Sequence, residues 1–212
     1  MFYIKDTGVF KGDTPPEHYK FKYKPDDFQL YGFDAIHKNH NILVTAHTGA
    51  GKTSLALYGI AKWLKENKQV IYTSPIKTLS NQKFNDFSKD FKDVGIMTGD
   101  VKINPSANLL IMTAEILRNS LIRNNNETVY EWNFNPENVS CVILDEVHFI
   151  NDVHRGMVWE EIIVNLPSHI QLIMLSATIN GAEELAQWVG NIKKVPCHHI
   201  PTPFRPVPLK HY

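Results

Sequence analysis

Residues 46–53 read Ala-His-Thr-Gly-Ala-Gly-Lys-Thr. A short apolar segment, 41–46, precedes this run. The segment that follows it, 52–67, carries apolar side chains at helical spacing, namely Leu57, Ile60, Ala61 and Leu64. The pattern therefore predicts a strand, a glycine-rich loop and a helix in that order, which is the arrangement of a nucleotide phosphate loop. The common form of this motif begins with glycine, where this chain has Ala46.

The residue types of this loop suit the phosphates of a nucleotide. Gly49 and Gly51 permit a tight turn whose amide groups point at phosphate oxygens, and the start of a helix also attracts anions. Lys52 places a positive charge near the β- and γ-phosphates, and the hydroxyl of Thr53 suits Mg²⁺. We therefore expect nucleotide binding by the whole loop, which comprises Ala46, His47, Thr48, Gly49, Ala50, Gly51, Lys52 and Thr53.

A second informative run, Asp-Glu-Val-His at 145–148, follows the apolar segment 142–144. That segment has the composition of a buried parallel strand, so Asp145 would lie at its carboxyl end, where open α/β sheets bind ligands. A carboxylate there can hold Mg²⁺, and Glu146 beside it can act as the general base for an attacking water. We therefore expect Lys52, Asp145 and Glu146 to be catalytic, with Thr53 and Asp145 as the metal ligands.

Strands alternate with helices along the chain, which predicts an α/β fold with a doubly wound, mostly parallel sheet and helices on both faces. The predicted strands are 41–46, 70–74, 94–97, 109–112, 142–144 and 171–175. The predicted helices are 28–38, 52–67, 77–91, 114–122, 159–165 and 183–189. Residues 1–27 are expected to form an irregular lead-in, 123–138 a polar loop, and the proline-rich stretch 195–212 an exit segment.

Composition limits the possible partners and compartments. The chain has 22 Lys and Arg against 22 Asp and Glu, so no basic excess drives nonspecific binding of nucleic acid. Its two cysteines indicate a reducing compartment rather than a disulfide framework. No apolar run approaches the roughly 20 residues that span a bilayer. We therefore expect an intracellular protein of the cytoplasm or nucleus, not bound to membranes, whose isolated domain is monomeric.

Further strings of the sequence complete a resemblance to a known family. They are YTSPIKTLSNQK (72–83), TGDVKINP (98–105), IMTAEILR (111–118), DEVHFINDVHRGMVWEE (145–161), SAT (176–178) and RPVPL (205–209). In their order and length these strings resemble the motifs of the superkiller and TRAMP-type exosome helicases, which are superfamily 2 DExH-box RNA helicases. The resemblance covers roughly residues 28–212.

The resemblance implies a RecA-like P-loop NTPase fold that uses ATP and Mg²⁺. It implies that residues 28–194 are the first of two RecA-like motor domains and that the protein translocates 3′–5′ on RNA. It also implies that His148 is a further catalytic residue, which couples the ATP site to Ser176, Ala177 and Thr178. The implied partners are single-stranded or 3′-tailed RNA, the second RecA-like domain, and exosome or adaptor proteins. The implied RNA contacts are Ser74, Pro75, Lys77, Thr78, Gly99, Asp100, Thr113, Glu115 and Arg118.

One feature of the family is not found where it is expected. The resemblance implies a nucleotide-sensing glutamine four residues before Ile36, but Gly32 stands there, and Gln29 lies out of register. The resemblance therefore does not assign adenine selection to a residue of this chain.

Three other functions also stay open. They are a DNA helicase of the same superfamily, an ATP-binding scaffold without unwinding activity, and a P-loop ATPase acting on proteins or small molecules. The intact set of Lys52, Asp145 and Glu146 disfavours the scaffold, and the Ser-Ala-Thr motif disfavours the third alternative.

Overall fold

The computed structural model describes residues 2–122 and 134–202, in which nine strands form one sheet and six α-helices cover it. The strands are β1 (Tyr3–Lys5), β2 (Asn41–Ala46), β3 (Gln69–Ser74), β4 (Val94–Met97), β5 (Lys102–Ile103), β6 (Leu109–Thr113), β7 (Val139–Leu144), β8 (Gln171–Ser176) and β9 (Cys197–Thr202). The helices are α1 (Asp27–His37), α2 (Thr53–Lys65), α3 (Lys77–Phe87), α4 (Ala114–Ile122), α5 (Gly156–Asn165) and α6 (Ala182–Lys193). A short 3₁₀ helix covers Val147–Asn151.

The strand order in the sheet is β1-β9-β2-β8-β7-β3-β6-β4-β5. Every pairing in the described residues is parallel except that of β4 with β5. The carboxyl ends of the parallel strands therefore lie along one edge of the sheet. The loops that follow β2, β3, β4, β6, β7 and β8 lie along that edge, and these segments carry the motifs of the sequence.

Two hydrophobic cores lie on opposite faces of the sheet. One contains Ile36, Leu55 and Phe87 from helices α1, α2 and α3. The other contains Trp159 and Val189, together with further apolar side chains of α4, α5 and α6. Successive side chains of a strand point to opposite faces, so strands that are buried throughout supply both cores. The predicted doubly wound α/β sheet with helices on both faces is confirmed.

The two ends of the described chain differ from the prediction. The expected irregular lead-in is wrong for β1, which pairs in parallel with β9. The expected exit segment is wrong for β9, which lies between β1 and β2 inside the sheet. A strand of three residues is too short to show an alternating pattern, and Pro201 within β9 argues against a strand. The remaining exit residues, 203–212, and most of the predicted polar loop, 123–133, lie outside the described residues.

A buried lysine joins two helices on one face of the sheet. The side chain of Lys193, near the end of α6, donates a hydrogen bond to the carbonyl oxygen of Leu166, directly after α5. Lys193 is only 1% exposed, and burial lowers its pKa to about 8. The ammonium therefore satisfies a carbonyl at the end of a helix at the cost of desolvating its own charge.

No helix in the described ranges is long and apolar enough to cross a membrane.

Candidate nucleotide site and adjoining groove

The phosphate loop connects β2 to α2 as predicted. Gly49 and Gly51 have φ angles of 84° and 90°, which glycine adopts without the steric cost that a side chain brings. The ammonium of Lys52 donates hydrogen bonds to the carbonyl oxygens of Ala46, at 2.7 Å, and His47, at 3.2 Å. Burial lowers the pKa of Lys52, and the charges of Glu146 and Asp145 oppose this effect. The loop thus holds a cation close to the two acidic residues that follow β7.

Asp145 is fixed at the carboxyl end of β7 by its neighbour β3. Its backbone amide donates to the carbonyl of Thr73 at 3.0 Å, and the hydroxyl of Tyr72 donates to its Oδ2 atom. Complete burial, and next the charge of Asp145, raise the pKa of Tyr72 well above its usual range, so the hydroxyl keeps its proton. Tyr72 is a site residue that the sequence reasoning missed, because only the pairing of β3 with β7 brings it to Asp145.

Glu146 follows Asp145 in a left-handed backbone conformation, with φ 53° and ψ 45°. Such a conformation costs a residue with a side chain on the order of 1–3 kcal/mol, so the surrounding structure must hold it in place. Its amide donates to Asp145 Oδ1 at 3.0 Å. His148 Nδ1 lies 3.3 Å from Glu146 Oε2, but it is not aligned for a hydrogen bond. The expected base and the expected coupling histidine are therefore neighbours.

The donor set fits a magnesium ion bound together with a nucleotide. Among the described residues there is no group of three or more His, Cys, Asp or Glu side chains that could hold a metal on their own. Mg²⁺ in nucleotide sites usually takes one or two protein oxygens and completes its shell with phosphates and waters. Thr53 Oγ1 and Asp145 Oδ2 lie 3.5 and 4.0 Å from the ammonium of Lys83, so both oxygens face one small region.

Gln29, which lies out of register in the sequence, contacts the phosphate loop in the structure. It occupies the first turn of α1, where its Oε1 atom accepts a hydrogen bond from the amide of Asp26 at 2.9 Å. Its Nε2 atom donates to Ser54 Oγ at 2.8 Å and to the carbonyl of Gly51 at 3.2 Å. The side chain therefore lies against the phosphate loop, although its spacing to Ile36 differs from the spacing that the resemblance implies.

A groove of about 540 Å³ adjoins the nucleotide site at the same edge of the sheet. It is lined by Pro75, Ile76, Lys77, Thr78, Gly99, Thr113, Glu115, Ile116 and Arg155. Six of the nine residues predicted to contact RNA therefore line one cavity. Ser74 does not, because it is buried and its hydroxyl hydrogen-bonds that of Ser80 at 2.6 Å. Arg118 and Asp100 also lie outside the lining, but both take part in ion pairs nearby.

Each basic side chain of this region has an acidic partner. Lys77 pairs with Asp100 at 2.5 Å, and Arg118 pairs with Glu161. Arg155 pairs with Glu115, whose contact with RNA stays a prediction. These pairs leave little unbalanced positive charge beside the groove, in keeping with the zero formal net charge of the chain.

Arg155 is the second residue of the site that sequence reasoning missed. Its guanidinium also donates to the carbonyl of Pro75 at 2.5 Å. The preceding turn is tightly built, because Asp152 Oδ1 accepts hydrogen bonds from the amides of His154 and Arg155, both at 2.9 Å, which lowers the pKa of Asp152. A Cβ atom on Gly156 would lie 2.2 Å from the carbonyl oxygen of Ile150, so only glycine fits there. In the sequence, the run from Asp152 to Gly156, which follows the acidic motif, could have indicated this residue.

The Ser-Ala-Thr motif begins at Ser176, the last residue of β8, at the same edge. The hydroxyl of Ser176 is buried and has no hydrogen-bond partner within residues 2–122 and 134–202, and the same holds for His148 Nδ1. No bond therefore joins these two atoms in the structure. The coupling role of His148 with Ser176, Ala177 and Thr178 stays a prediction.

Comparisons with known proteins agree with this arrangement. Residues 26–186 match the family model described as DEAD/DEAH box helicase. The chain is 49% identical over 187 residues to the human exosome RNA helicase MTR4, covering 88% of this chain and 17% of that protein. It is 46% identical over 207 residues to human superkiller complex protein 2, covering 97% of this chain and 16% of that protein.

A solved structure gives an independent comparison of the fold. The DUF1998 helicase MrfA, bound to DNA, superposes with a TM-score of 0.70 at 17% identity, covering 91% of this chain and 30% of that one. At this identity the likeness concerns the fold alone. The chain spans about a fifth or less of the length of the curated relatives it matches. The match to the family model and the identity to these relatives place the chain in the DEAD/DEAH box helicase family, among the relatives of the exosome-associated DExH RNA helicases.

Proposed function

We propose that the chain is the first motor domain of an ATP-dependent RNA helicase that couples ATP hydrolysis to 3′–5′ translocation on RNA. The observation that carries this proposal is the meeting of two sites at one edge of the sheet. The phosphate loop with Lys52 faces Asp145 and Glu146, and the groove beside them continues along the ends of β3 and β6. This arrangement allows one domain to contact a nucleotide and a second, extended ligand at the same time.

The residues of the nucleotide site have separate roles in hydrolysis. Lys52 and the loop amides hold the phosphates, and Glu146 accepts the proton of the attacking water. Thr53 and Asp145 would hold Mg²⁺, which neutralises charge on the phosphates. Tyr72 fixes the orientation of the Asp145 carboxylate. Because phosphoryl transfer depends mostly on positioning and charge, an arginine from a second RecA-like domain is expected to add about 10³–10⁵ in rate.

The groove suits the backbone of a single strand. Helices α3 and α4 begin beside it, at Lys77 and Ala114, and helix starts attract phosphates without reading the bases. The backbone of Gly99, the hydroxyls of Thr78 and Thr113, and the ammonium of Lys77 supply further contacts. Three ion pairs balance the local charge, so we expect binding that depends on a few specific phosphate contacts.

The relatives extend the proposal to partners. Their names describe an exosome RNA helicase and a superkiller complex protein. We therefore propose that RNA is the nucleic acid ligand, that exosome or adaptor proteins are partners, and that the protein acts in the cytoplasm or nucleus. The second RecA-like domain is proposed to lie elsewhere in the same protein.

The experiment compares nucleotide binding and hydrolysis in wild type and Lys52→Ala. A fluorescent adenine nucleotide should bind wild type in the presence of Mg²⁺ and bind Lys52→Ala clearly more weakly, because the variant loses a charge-assisted bond to the phosphates. Lys65→Ala, at the exposed far end of α2, is the matched control and should bind like wild type. Hydrolysis by the protein with both RecA-like domains is then measured with RNA and with DNA of matched sequence. Equal nucleotide affinity of wild type and Lys52→Ala would contradict the site, and stimulation by DNA alone would indicate a DNA helicase.

A further inference from the structure

Lys83 lies on α3, outside the residues that the sequence assigns to the nucleotide site, yet its ammonium reaches that site. Nζ lies 3.5 Å from Thr53 Oγ1 and 4.0 Å from Asp145 Oδ2. The side chain is only 19% exposed. Nζ also lies 5.8 and 6.0 Å from the ring centroids of Tyr72 and Phe87. The ammonium therefore lies near two aromatic rings, beside Asp145.

The Asp145 carboxylate has three polar neighbours in the described residues. Its Oδ1 atom accepts the amide of Glu146, and its Oδ2 atom accepts the hydroxyl of Tyr72 and lies near Lys83. Lys52, by contrast, donates to carbonyl oxygens of the loop. Lys83 is thus the cation within 4.0 Å of this carboxylate in the described part of the chain.

The two oxygens that face Lys83 are those that the proposed function assigns to Mg²⁺. A magnesium ion binds oxygen at about 2.0–2.1 Å, so an ion on Thr53 Oγ1 and Asp145 would lie within a few ångströms of the ammonium. Two cations that close repel each other, and partial burial weakens the screening by solvent. The phosphates of a nucleotide bring the negative charge that offsets this repulsion.

From this geometry we propose that Lys83 is the counter-ion of Asp145, that it opposes binding of a free divalent cation, and that it makes metal binding conditional on nucleotide phosphates. The inference rests on the proposed function, because it takes Thr53 and Asp145 as the metal ligands. It adds a residue that selects a metal–nucleotide complex over the metal alone.

The test measures binding of Mn²⁺ without nucleotide, from the loss of the free Mn²⁺ signal in electron paramagnetic resonance. Lys83→Gln and Lys83→Met should bind Mn²⁺ about tenfold more tightly than wild type, because both variants remove the opposing charge. Lys83→Met keeps an unbranched stem against the two rings, so it guards against loss of packing. Lys83→Arg keeps the charge and should resemble wild type. Lys89→Gln, just after α3 in an exposed pair with Asp86, is the matched control.

A second measurement separates this role from direct phosphate binding. A fluorescent adenosine diphosphate is titrated into wild type and Lys83→Met at several Mg²⁺ concentrations and in a chelator. The variant should need several-fold less Mg²⁺ for half-maximal binding. Unchanged Mn²⁺ affinity would overturn the inference, and so would an equal loss of nucleotide affinity with and without Mg²⁺, which would make Lys83 a phosphate ligand. Failure of wild type to bind nucleotide at all would instead contradict the proposed function.

Discussion

The guanidinium of Arg155 joins the carboxylate of Glu115 to the backbone carbonyl of Pro75. Glu115 is in the first turn of α4, and Pro75 lies in the loop before α3. Both segments line the groove, and each follows a different strand of the sheet. Arg155 itself belongs to the run that continues from Asp145 and Glu146. A single side chain therefore fixes the spacing of two helix starts and connects them to the acidic motif of the nucleotide site.

Replacement of Arg155 should weaken RNA binding without disturbing the nucleotide. For Arg155→Gln we expect the RNA concentration that half-maximally stimulates hydrolysis to rise about tenfold, because bonds to a charged group are lost. The nucleotide affinity of Arg155→Gln should stay within about twofold of wild type, since the hydrogen bonds of Arg155 go to Pro75 and Glu115 rather than to the phosphate loop. The RNA concentration that Arg155→Lys needs should lie between those of wild type and Arg155→Gln, because an ammonium cannot reproduce the planar fork of the guanidinium. Lys68→Gln, exposed at the opposite edge of the sheet, serves as the control, and equal RNA dependence of Arg155→Gln and wild type would contradict this role.

Asp100 should limit the affinity for RNA. Its carboxylate pairs with Lys77 at 2.5 Å, and both side chains are more than half exposed. Asp100→Asn frees the ammonium of Lys77 for a phosphate, so RNA should bind a few-fold more tightly, and the slope of log affinity against log salt should steepen by about one contact. Adding Lys77→Gln to Asp100→Asn should remove both effects. Weaker binding by Asp100→Asn alone would show that the carboxylate contacts RNA directly, as the resemblance implies.

Glu146 should be needed for hydrolysis but not for binding. Glu146→Gln preserves the size of the side chain and removes the group that accepts the proton, so turnover should fall by about 10²–10⁴. The affinity for a fluorescent nucleotide should remain close to that of wild type. Glu66→Gln, exposed just after α2, is the matched control. Substantial RNA-stimulated phosphate release by Glu146→Gln would mean that another group activates the water.

The placements that the sequence predicts and the structure shows, those of Lys52 and Asp145, follow buried strands. β2 and β7 read as short apolar runs because both of their faces are covered, and the polar residues that follow each run mark its end. In a parallel sheet these ends lie at one edge, so Lys52 and Asp145 could be placed together before any distance was known. The phosphate loop is also built from residues adjacent in sequence, so a short sequence pattern is enough to predict it.

The parts that the sequence could not predict depend on pairing between distant segments. Tyr72 and Lys83 reach Asp145 only because β3 lies beside β7 and α3 follows β3. Arg155 and Glu115 are 40 residues apart in the sequence, so no short motif contains both of them. Strand β1 owes its structure to β9 rather than to its own three residues. Such contacts come from tertiary structure, which overrides weak local preferences.

The pH dependence of stability should report the buried ammonium of Lys193. Its pKa of about 8 in the folded state lies below the ordinary value of 10.5, so between these pH values the unfolded chain binds more protons and stability rises with pH. Lys193→Met removes this proton, so the free energy of unfolding of wild type minus that of the variant should grow by roughly 2 kcal/mol from pH 7.5 to pH 9.5. Urea titrations at each pH measure it, and the difference cancels the titration of other groups. For Lys194→Met, at the exposed neighbouring residue, the free energy of unfolding should change with pH as it does in wild type. If the free energy of unfolding of Lys193→Met changes with pH as that of wild type does, the Lys193 ammonium does not titrate between pH 7.5 and pH 9.5 in the folded protein.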